Sequence, residues 1–326
     1  MIVALPMLRE IRRASSYTKI TWVAPSTLAP STLAPLLELA GVDAFIASDA
    51  PPPKKLNPDD FAALLTLRDA DASAYSKLGA FSDIPLRIGS ANGQLQRRHE
   101  AQRNHRLLIP FGVKTDTTLR ELTRLAALPQ TAHAVPADLP QQGFVVLHMF
   151  SAGHAREWPV GHWISLADTL IASGWSVVLT GSPKESMRLK DVWPLAARPP
   201  GVFDAFGRLD LAELSGLLSL AVAVVAASTG PLHLAAAVGV PSIGLFVPRK
   251  GIDASRWAPL GVSAVVLRSR GRCARRCEAT SCRCIDELLP LAVAAAIEQA
   301  AQRIADSSTA ARSVAATDLA PLARPR

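Results

Sequence analysis

A short polar turn between two apolar segments is the first feature of this sequence that could do chemistry. Ser228, Thr229 and Gly230 follow the apolar run 224–227, and the next segment has the pattern of a helix with His233 in its first turn. A strand, a small turn and a helix in this order present backbone N–H groups to an anion. Gly230 lets a ligand approach the backbone, and Thr229 adds a hydroxyl group. The turn is therefore predicted to bind a phosphate group, the alternative being a tight turn with a packed histidine.

Two further turns between a predicted strand and a predicted helix carry similar residues. The turn after 144–149 holds Ser151 and the cation Arg156, and the turn before the helix at 183 holds Thr180 and Gly181. The carboxyl ends of parallel strands meet at one edge of a sheet, where ligands bind. Small residues, hydroxyls and an arginine at that edge suit a nucleotide diphosphate. The predicted site comprises Ser151, Arg156, Thr180, Gly181, Ser228, Thr229, Gly230 and His233.

The elements that position these turns are short apolar strands alternating with helices of about ten residues. This alternation predicts an α/β protein with parallel sheets covered on both faces. A Pro- and Gln-rich stretch at 128–143 interrupts the pattern, which then restarts. We therefore expect two doubly wound, Rossmann-like domains facing a cleft, 1–135 and 136–304, and a flexible tail, 305–326.

Length and composition agree with two globular domains. The chain has 326 residues, of which 49% are hydrophobic and 19% charged, enough for two cores of roughly 150 residues each. No uninterrupted apolar run reaches the roughly 18 residues of a membrane span. The N-terminus has neither the basic region nor the cleavage site of a signal peptide. These observations predict a cytoplasmic protein.

The formal net charge of +8 is unevenly distributed, and the segment 249–283 is strongly basic. Such a segment could contact phosphates or anionic lipids, or it could be a solvated loop. Nucleic acid is disfavoured, because the few aromatic residues are not interleaved with the basic ones as base stacking requires. The basic residues of this segment are Arg249, Lys250, Arg256, Arg268, Arg270, Arg272, Arg275, Arg276 and Arg283.

All four cysteines lie in one short segment, at Cys273, Cys277, Cys282 and Cys284. Their spacing, C-x3-C-x4-C-x-C, departs from the paired C-x2-C motifs of common zinc sites. Reduced thiols are the ordinary state in a cytoplasmic protein. Reduced thiols are therefore the expected state of these cysteines, and metal binding by them stays an open alternative.

The sequence resembles glycosyltransferase family 9, the ADP-heptose:lipopolysaccharide heptosyltransferases. Segments 150–185, 206–248 and 284–289 carry the resemblance, which is dense over 143–295 and looser over 1–127. It implies a GT-B fold in which the C-terminal domain binds the nucleotide sugar and the N-terminal domain holds the acceptor. Thr229, Gly230 and His233 match the family's donor-contacting Thr-Gly-x-x-His residues, whereas Ser228 stands where the family has aspartate.

Two residues N-terminal to the Trp158–Pro159 pair also match positions of the family motif. Arg156 replaces a family lysine that lies two residues before this pair, and Ser151 matches a hydroxyl residue that precedes the lysine. The resemblance thus implies that a positive charge is kept for the pyrophosphate.

The resemblance implies inverting transfer of heptose from ADP-heptose to a lipopolysaccharide core acceptor at the inner face of the cytoplasmic membrane. Helix N-termini and Arg156 could stabilise the leaving diphosphate without a divalent cation, so we expect no required metal or other cofactor. The family's general base is an aspartate in a Gly-Asp loop that would precede Leu5 and Pro6. No catalytic residue is therefore assigned, and this chain is expected to bind ADP but to transfer little sugar. The alternatives are a catalytically impaired paralogue, acting as a sugar-nucleotide binder or partner subunit, and an epimerase of another nucleotide sugar.

Overall fold

The computed structural model describes much of the chain, continuously over 157–270. The described residues are 4–14, 19–24, 41–47, 61, 64–66, 87–89, 98–113, 117–128, 135–151, 157–270, 273 and 282–317.

The described N-terminal elements are three α-helices and two pairs of parallel strands. Strand β1 (Thr21–Ala24) pairs with β2 (Ala44–Ala47), and β3 (Leu64–Thr66) pairs with β4 (Arg87–Gly89). Parallel pairing requires a crossover connection, as the alternating sequence pattern predicts. The helices are α1 (Leu5–Ala14), α2 (Glu100–His105), which continues as a 3-10 helix (Arg106–Phe111), and α3 (Leu119–Ala126).

The C-terminal part is built on one six-stranded parallel sheet in the order β10-β9-β8-β5-β6-β7. The chain starts at the centre of this sheet, adds β6 and β7 on one side, and then returns to add β8, β9 and β10 on the other. Such a reversal is a topological switch point, here between β5 and β8, and ligands bind beside it in doubly wound sheets. The strands are β5 (Phe144–His148), β6 (Ser176–Thr180), β7 (Val202–Asp204), β8 (Ala223–Ala227), β9 (Ser242–Phe246) and β10 (Ala264–Arg268).

Helices on both faces bury the central strands of this sheet. Val145 and Leu147 pack in one apolar cluster with Trp163, whereas Phe144 and Val146 pack in a second cluster on the opposite face. This alternation follows from the two-residue period of a strand. The helices are α4 (Val160–Ala172), α5 (Pro183–Val192), α6 (Leu211–Leu220), α7 (Gly230–Ala237), α8 (Ala254–Trp257) and α9 (Pro290–Thr317), with 3-10 turns at Leu195–Ala197 and Arg283–Glu287.

Helix α9 extends into the segment that the sequence predicts to be a loose tail. The sequence predicts a flexible tail at 305–326, whereas the helix continues to Thr317. Residues 302–316 are rich in alanine and contain neither glycine nor proline, which explains why a helix that starts in the core can continue. None of the helices in the described part of the chain combines the length and apolar character needed to cross a membrane.

The start of α2 docks on the loop around α8 through buried polar contacts. Nε2 of His99 lies 2.8 Å from the carbonyl oxygen of Ala258, and Nε of Arg256 donates to Glu100 at 2.7 Å. Arg103 lies 3.6 Å from the same carboxylate. His99 and Glu100 are both buried, and through them the start of α2 is joined to the loop around α8 in the C-terminal part.

Candidate functional site

The polar turns that the sequence singled out follow three neighbouring strands whose ends lie level. His148, the last residue of β5, is in register with Thr180 of β6 on one side and with Ala226 of β8 on the other. Adjacent strands lie about 4.8 Å apart. Ser151, Thr180 and Ser228 therefore follow the carboxyl edge of the sheet at its switch point, and all three are buried.

The turn after β8 leaves polar groups available at the start of α7. Thr229 is the N-cap residue, in extended conformation, but its side chain makes no capping hydrogen bond. Its hydroxyl oxygen is buried and has no hydrogen-bond partner among the described residues. A Cβ added to Gly230 would meet none of the described residues within 4 Å, so the first helical residue adjoins open space in the part of the protein that the structure describes. His233, one turn later, is buried and donates its backbone N–H to the Thr229 carbonyl at 3.4 Å.

Most other helices that have a described N-cap begin with side-chain hydrogen bonds. Reciprocal bonds between the N-cap and N3 residues close the starts of α2, α3, α5 and α6, and Asp253 caps α8. By contrast, neither Pro159 before α4 nor Thr229 before α7 provides a side-chain cap. These two helices follow β5 and β8, the strands that flank the switch point. No N-cap side chain therefore occupies the positive ends of these two helix dipoles. In α7 the first N–H groups are those of Gly230 and Leu232, because Pro231 has none.

Thr180 has a partner that the sequence analysis did not identify. Its hydroxyl oxygen lies 3.1 Å from Nδ1 of His148. Burial lowers the pKa of His148 to about 4, although the nearby carboxylate of Glu185 opposes this effect. The imidazole is therefore neutral at pH 7. A polar residue at the end of the apolar strand 144–148 was the available sequence signal.

Gly181 is needed for packing of the protein even without a ligand. A Cβ at this position would lie 2.1 Å from the ring of Phe206, far inside van der Waals contact. That ring packs edge-to-face against Phe150, with centroids 5.8 Å apart. The glycine is thus required by the fold, whatever it also contributes to a ligand.

Ser151 is held in place through its backbone. Its N–H donates to Oε1 of Glu157 at 3.0 Å, and Arg188 pairs with the same carboxylate at 2.6 Å. The guanidinium of Arg188 also lies 4.3 Å from the ring centroid of Phe150. Arg156, the cation that the sequence predicts for the diphosphate, lies outside the described residues.

Comparisons of the sequence point to one family. Residues 88–284, more than half of the chain, match the family model of Glycosyltransferase family 9 (heptosyltransferase). Lipooligosaccharide heptosyltransferase 2 of Haemophilus influenzae is 33% identical over 119 residues, which cover 36% of this chain and 33% of that protein. Lipopolysaccharide heptosyltransferase 1 of Pseudomonas aeruginosa is 42% identical over 96 residues, 28% of this chain and 25% of that protein. The matched segments thus span about a quarter to a third of these two relatives.

Comparisons of the structure agree over a longer stretch. Escherichia coli ADP-heptose lps heptosyltransferase II superposes with a TM-score of 0.67 and 16% identity, covering 93% of this chain and 95% of that one. E. coli heptosyltransferase WaaC with ADP gives a TM-score of 0.64 at 18% identity, covering 92% and 95% of the two chains. At such identities the similarity establishes the fold, the α/β GT-B fold predicted from the sequence. Together with the match over residues 88–284, this shows that the chain belongs to glycosyltransferase family 9.

Proposed function

We propose that the protein is an inverting glycosyltransferase that moves heptose from ADP-heptose to a lipopolysaccharide core acceptor. The names of its relatives and membership of family 9 support this choice of reaction. One structural observation supports a donor site at the start of α7. The Thr229 hydroxyl there is buried and has no hydrogen-bond partner among the described residues, and space adjoins Gly230. A buried hydroxyl that lacks a hydrogen bond is costly, so a ligand that supplies one is favoured.

In this proposal, the diphosphate of the donor lies at the start of α7. The N–H groups of Gly230 and Leu232 and the Thr229 hydroxyl donate to its oxygens, and the space beside Gly230 admits them. These donors would stabilise the negative charge that develops on the leaving ADP, and Arg156 would add a fixed positive charge. The charge is met by protein groups, so the proposal requires no metal or other cofactor for this step.

Transfer also requires a base that takes the proton of the acceptor hydroxyl. Ser151, Thr180 and Thr229 do not titrate near neutral pH, and His148 is engaged with Thr180. We therefore assign these residues to donor binding and to positioning, and none of them to the base.

We further propose that the protein works on the cytoplasmic side of the inner membrane, in peripheral contact with anionic lipid. Lys250, Arg268 and Arg270 of the basic segment are exposed and could face phosphorylated headgroups. Arg256 is not available for this role, because its guanidinium is bonded to Glu100.

One observation favours a second candidate function, a catalytically impaired binder of nucleotide sugars. Ser228 is buried and neutral at the position where the family resemblance implies an aspartate. A site that keeps the diphosphate contacts but lacks this carboxylate would bind ADP without orienting the sugar.

Calorimetric titration with ADP tests the donor site. We expect the parent protein to bind ADP and Thr229→Val to bind roughly 10- to 150-fold more weakly, since a hydrogen bond to a charged group contributes about 1.5–3 kcal/mol. The melting temperature of Thr229→Val without ADP should not fall, because the lost hydroxyl has no described partner to leave unpaired. Thr123→Val is the matched control, because the Thr123 hydroxyl donates to Leu119 on the exposed surface of α3.

An absence of ADP binding at millimolar concentrations would refute the donor site. If ADP binds, an assay of ADP release from ADP-heptose with a lipopolysaccharide acceptor separates the two functions. Acceptor-dependent release supports the transferase, and binding without release supports the binder. An Arg156→Ala variant with unchanged ADP affinity would remove Arg156 from the site.

A further inference from the structure

Three cysteine thiols lie close together at the 3-10 helix Arg283–Glu287, just before α9. The sulfur atoms of Cys273, Cys282 and Cys284 all lie within 4.8 Å of one another. Cys282 directly precedes the 3-10 helix Arg283–Glu287, and Cys284 lies within it. Cys273 is nine residues earlier in the chain, so folding brings it to this pair.

Packing of the apolar core alone does not explain this convergence. Cys282 is buried, but Cys273 and Cys284 are only half-buried at the edge of the core cluster that contains Trp158 and Ile285. A cysteine that serves as a small apolar residue is usually fully buried. Two half-buried thiols beside a buried one are typical of a metal-binding site that an ion can reach from solvent.

The distances suit a tetrahedral ion bound to thiolates. Zinc–sulfur bonds of about 2.3 Å place the sulfurs of a tetrahedral site roughly 3.8 Å apart. The three sulfurs need approach by no more than about one ångström to reach this separation. Side-chain rotation of cysteine is enough for such a change, since Sγ swings on a single χ angle.

We propose that Cys273, Cys282 and Cys284 supply three of the four ligands of one tetrahedral thiophilic divalent ion, zinc or ferrous iron, which stabilises the local structure. On binding, each thiol releases its proton to solvent and donates a sulfur lone pair to the metal, without a change of oxidation state. Soft thiolate ligands select these ions over magnesium or calcium. The ion would fasten residue 273 to the 3-10 helix before α9, and this role is independent of the proposed transfer reaction.

Metal analysis of the full chain, purified without chelators, tests the site. We expect about one zinc or iron ion per chain, with elemental analysis distinguishing the two metals. Cys282→Ser and Cys284→Ser should each lose most of the metal and lower the melting temperature, as a chelator should in the parent protein. Arg283→Gln is the matched control, because residue 283 lies between the two ligands and is not one of them.

A second measurement does not depend on the folding of any variant. Cobalt added to the metal-free parent protein should give intense thiolate-to-cobalt charge-transfer bands and the visible bands of a tetrahedral ion. A protein that is metal-free as purified and shows no such bands overturns the proposal. The reactive thiols of the unfolded protein should number four, one for each cysteine. A lower count would also overturn the proposal, because a disulfide would then explain the cluster.

Discussion

At the scale of single residues, similar polar turns prove to serve different purposes. The Thr180 hydroxyl is engaged with His148, and Gly181 is required by the ring of Phe206. By contrast, the Thr229 hydroxyl has no hydrogen-bond partner among the described residues, and a Cβ on Gly230 would meet none of them within 4 Å. The turn after β8 is therefore the strongest candidate for direct contact with a ligand, and the turn after β6 has a clear structural role.

The neutral state of His148 makes stability depend on pH. Its pKa is about 4 in the folded protein and about 6.5 in the unfolded chain, so the unfolded chain binds a proton first as the pH falls. Stability should therefore decrease from pH 6.5 towards pH 4, with at most about 3 kcal/mol from this group. Well above pH 6.5 the ring is neutral in both states and contributes no dependence on pH.

We expect His148→Asn to reduce this dependence, as measured by urea unfolding at pH 7 and pH 5. The asparagine side chain can still donate a hydrogen bond to Thr180, so the variant should remain folded. His99 and His105 also have a lowered pKa because of burial, and they maintain part of the slope in both proteins. Equal losses of stability in parent and variant between the two pH values would contradict this assignment.

At the scale of secondary-structure elements, the connection from β6 to α5 depends on the absence of a side chain at position 181. Gly181→Ala should destabilise the protein by about 1–3 kcal/mol, because its Cβ would overlap the Phe206 ring. Gly161→Ala in α4 is the matched control, since a Cβ there would meet no described residue within 4 Å. Thermal unfolding of both variants checks this prediction.

A second substitution separates steric overlap from other effects at this connection. Leucine at position 206 removes most of the ring, so Phe206→Leu combined with Gly181→Ala should cost less than the sum of the two single changes. Strictly additive losses would show that the Phe206 ring does not cause the effect.

Local patterns predict much of the architecture, and long-range contacts define the rest. The apolar runs of β5, β6, β8 and β9 identify buried parallel strands, and the turns after them locate the edge of the sheet where ligands bind. The register that places His148 beside Thr180 is set by pairing of strands 32 residues apart, which no local pattern records. The pairing of Arg256 with Glu100 is more distant still, so the basic segment looked uniformly available in the sequence.

At the scale of the whole molecule, Glu100 links α2 to the loop around α8. Its carboxylate is buried, bonds to Arg256 and lies near Arg103. Glu100→Ala would leave these guanidinium groups without their shared counter-charge, and we expect a loss of about 3–5 kcal/mol in the free energy of unfolding. Chemical denaturation measures this loss.

An exposed ion pair provides the control for Glu100. Asp138 and Arg208 lie 2.6 Å apart, but both side chains are largely open to water. Asp138→Ala should therefore change stability little, because solvent screens such pairs. Similar losses for the two variants would show that burial does not determine the strength of the Glu100 contact.

The uncapped start of α7 has a consequence for the motion of the free protein. Helices whose first N–H groups are bonded to a cap resist fraying, whereas an end without such bonds opens at lower cost. The first turn of α7 is therefore a place where backbone amides should exchange with solvent readily, although it adjoins one of the most buried strands of the sheet. A bound anion would slow that exchange, so the helix would gain order from its ligand as well as position it.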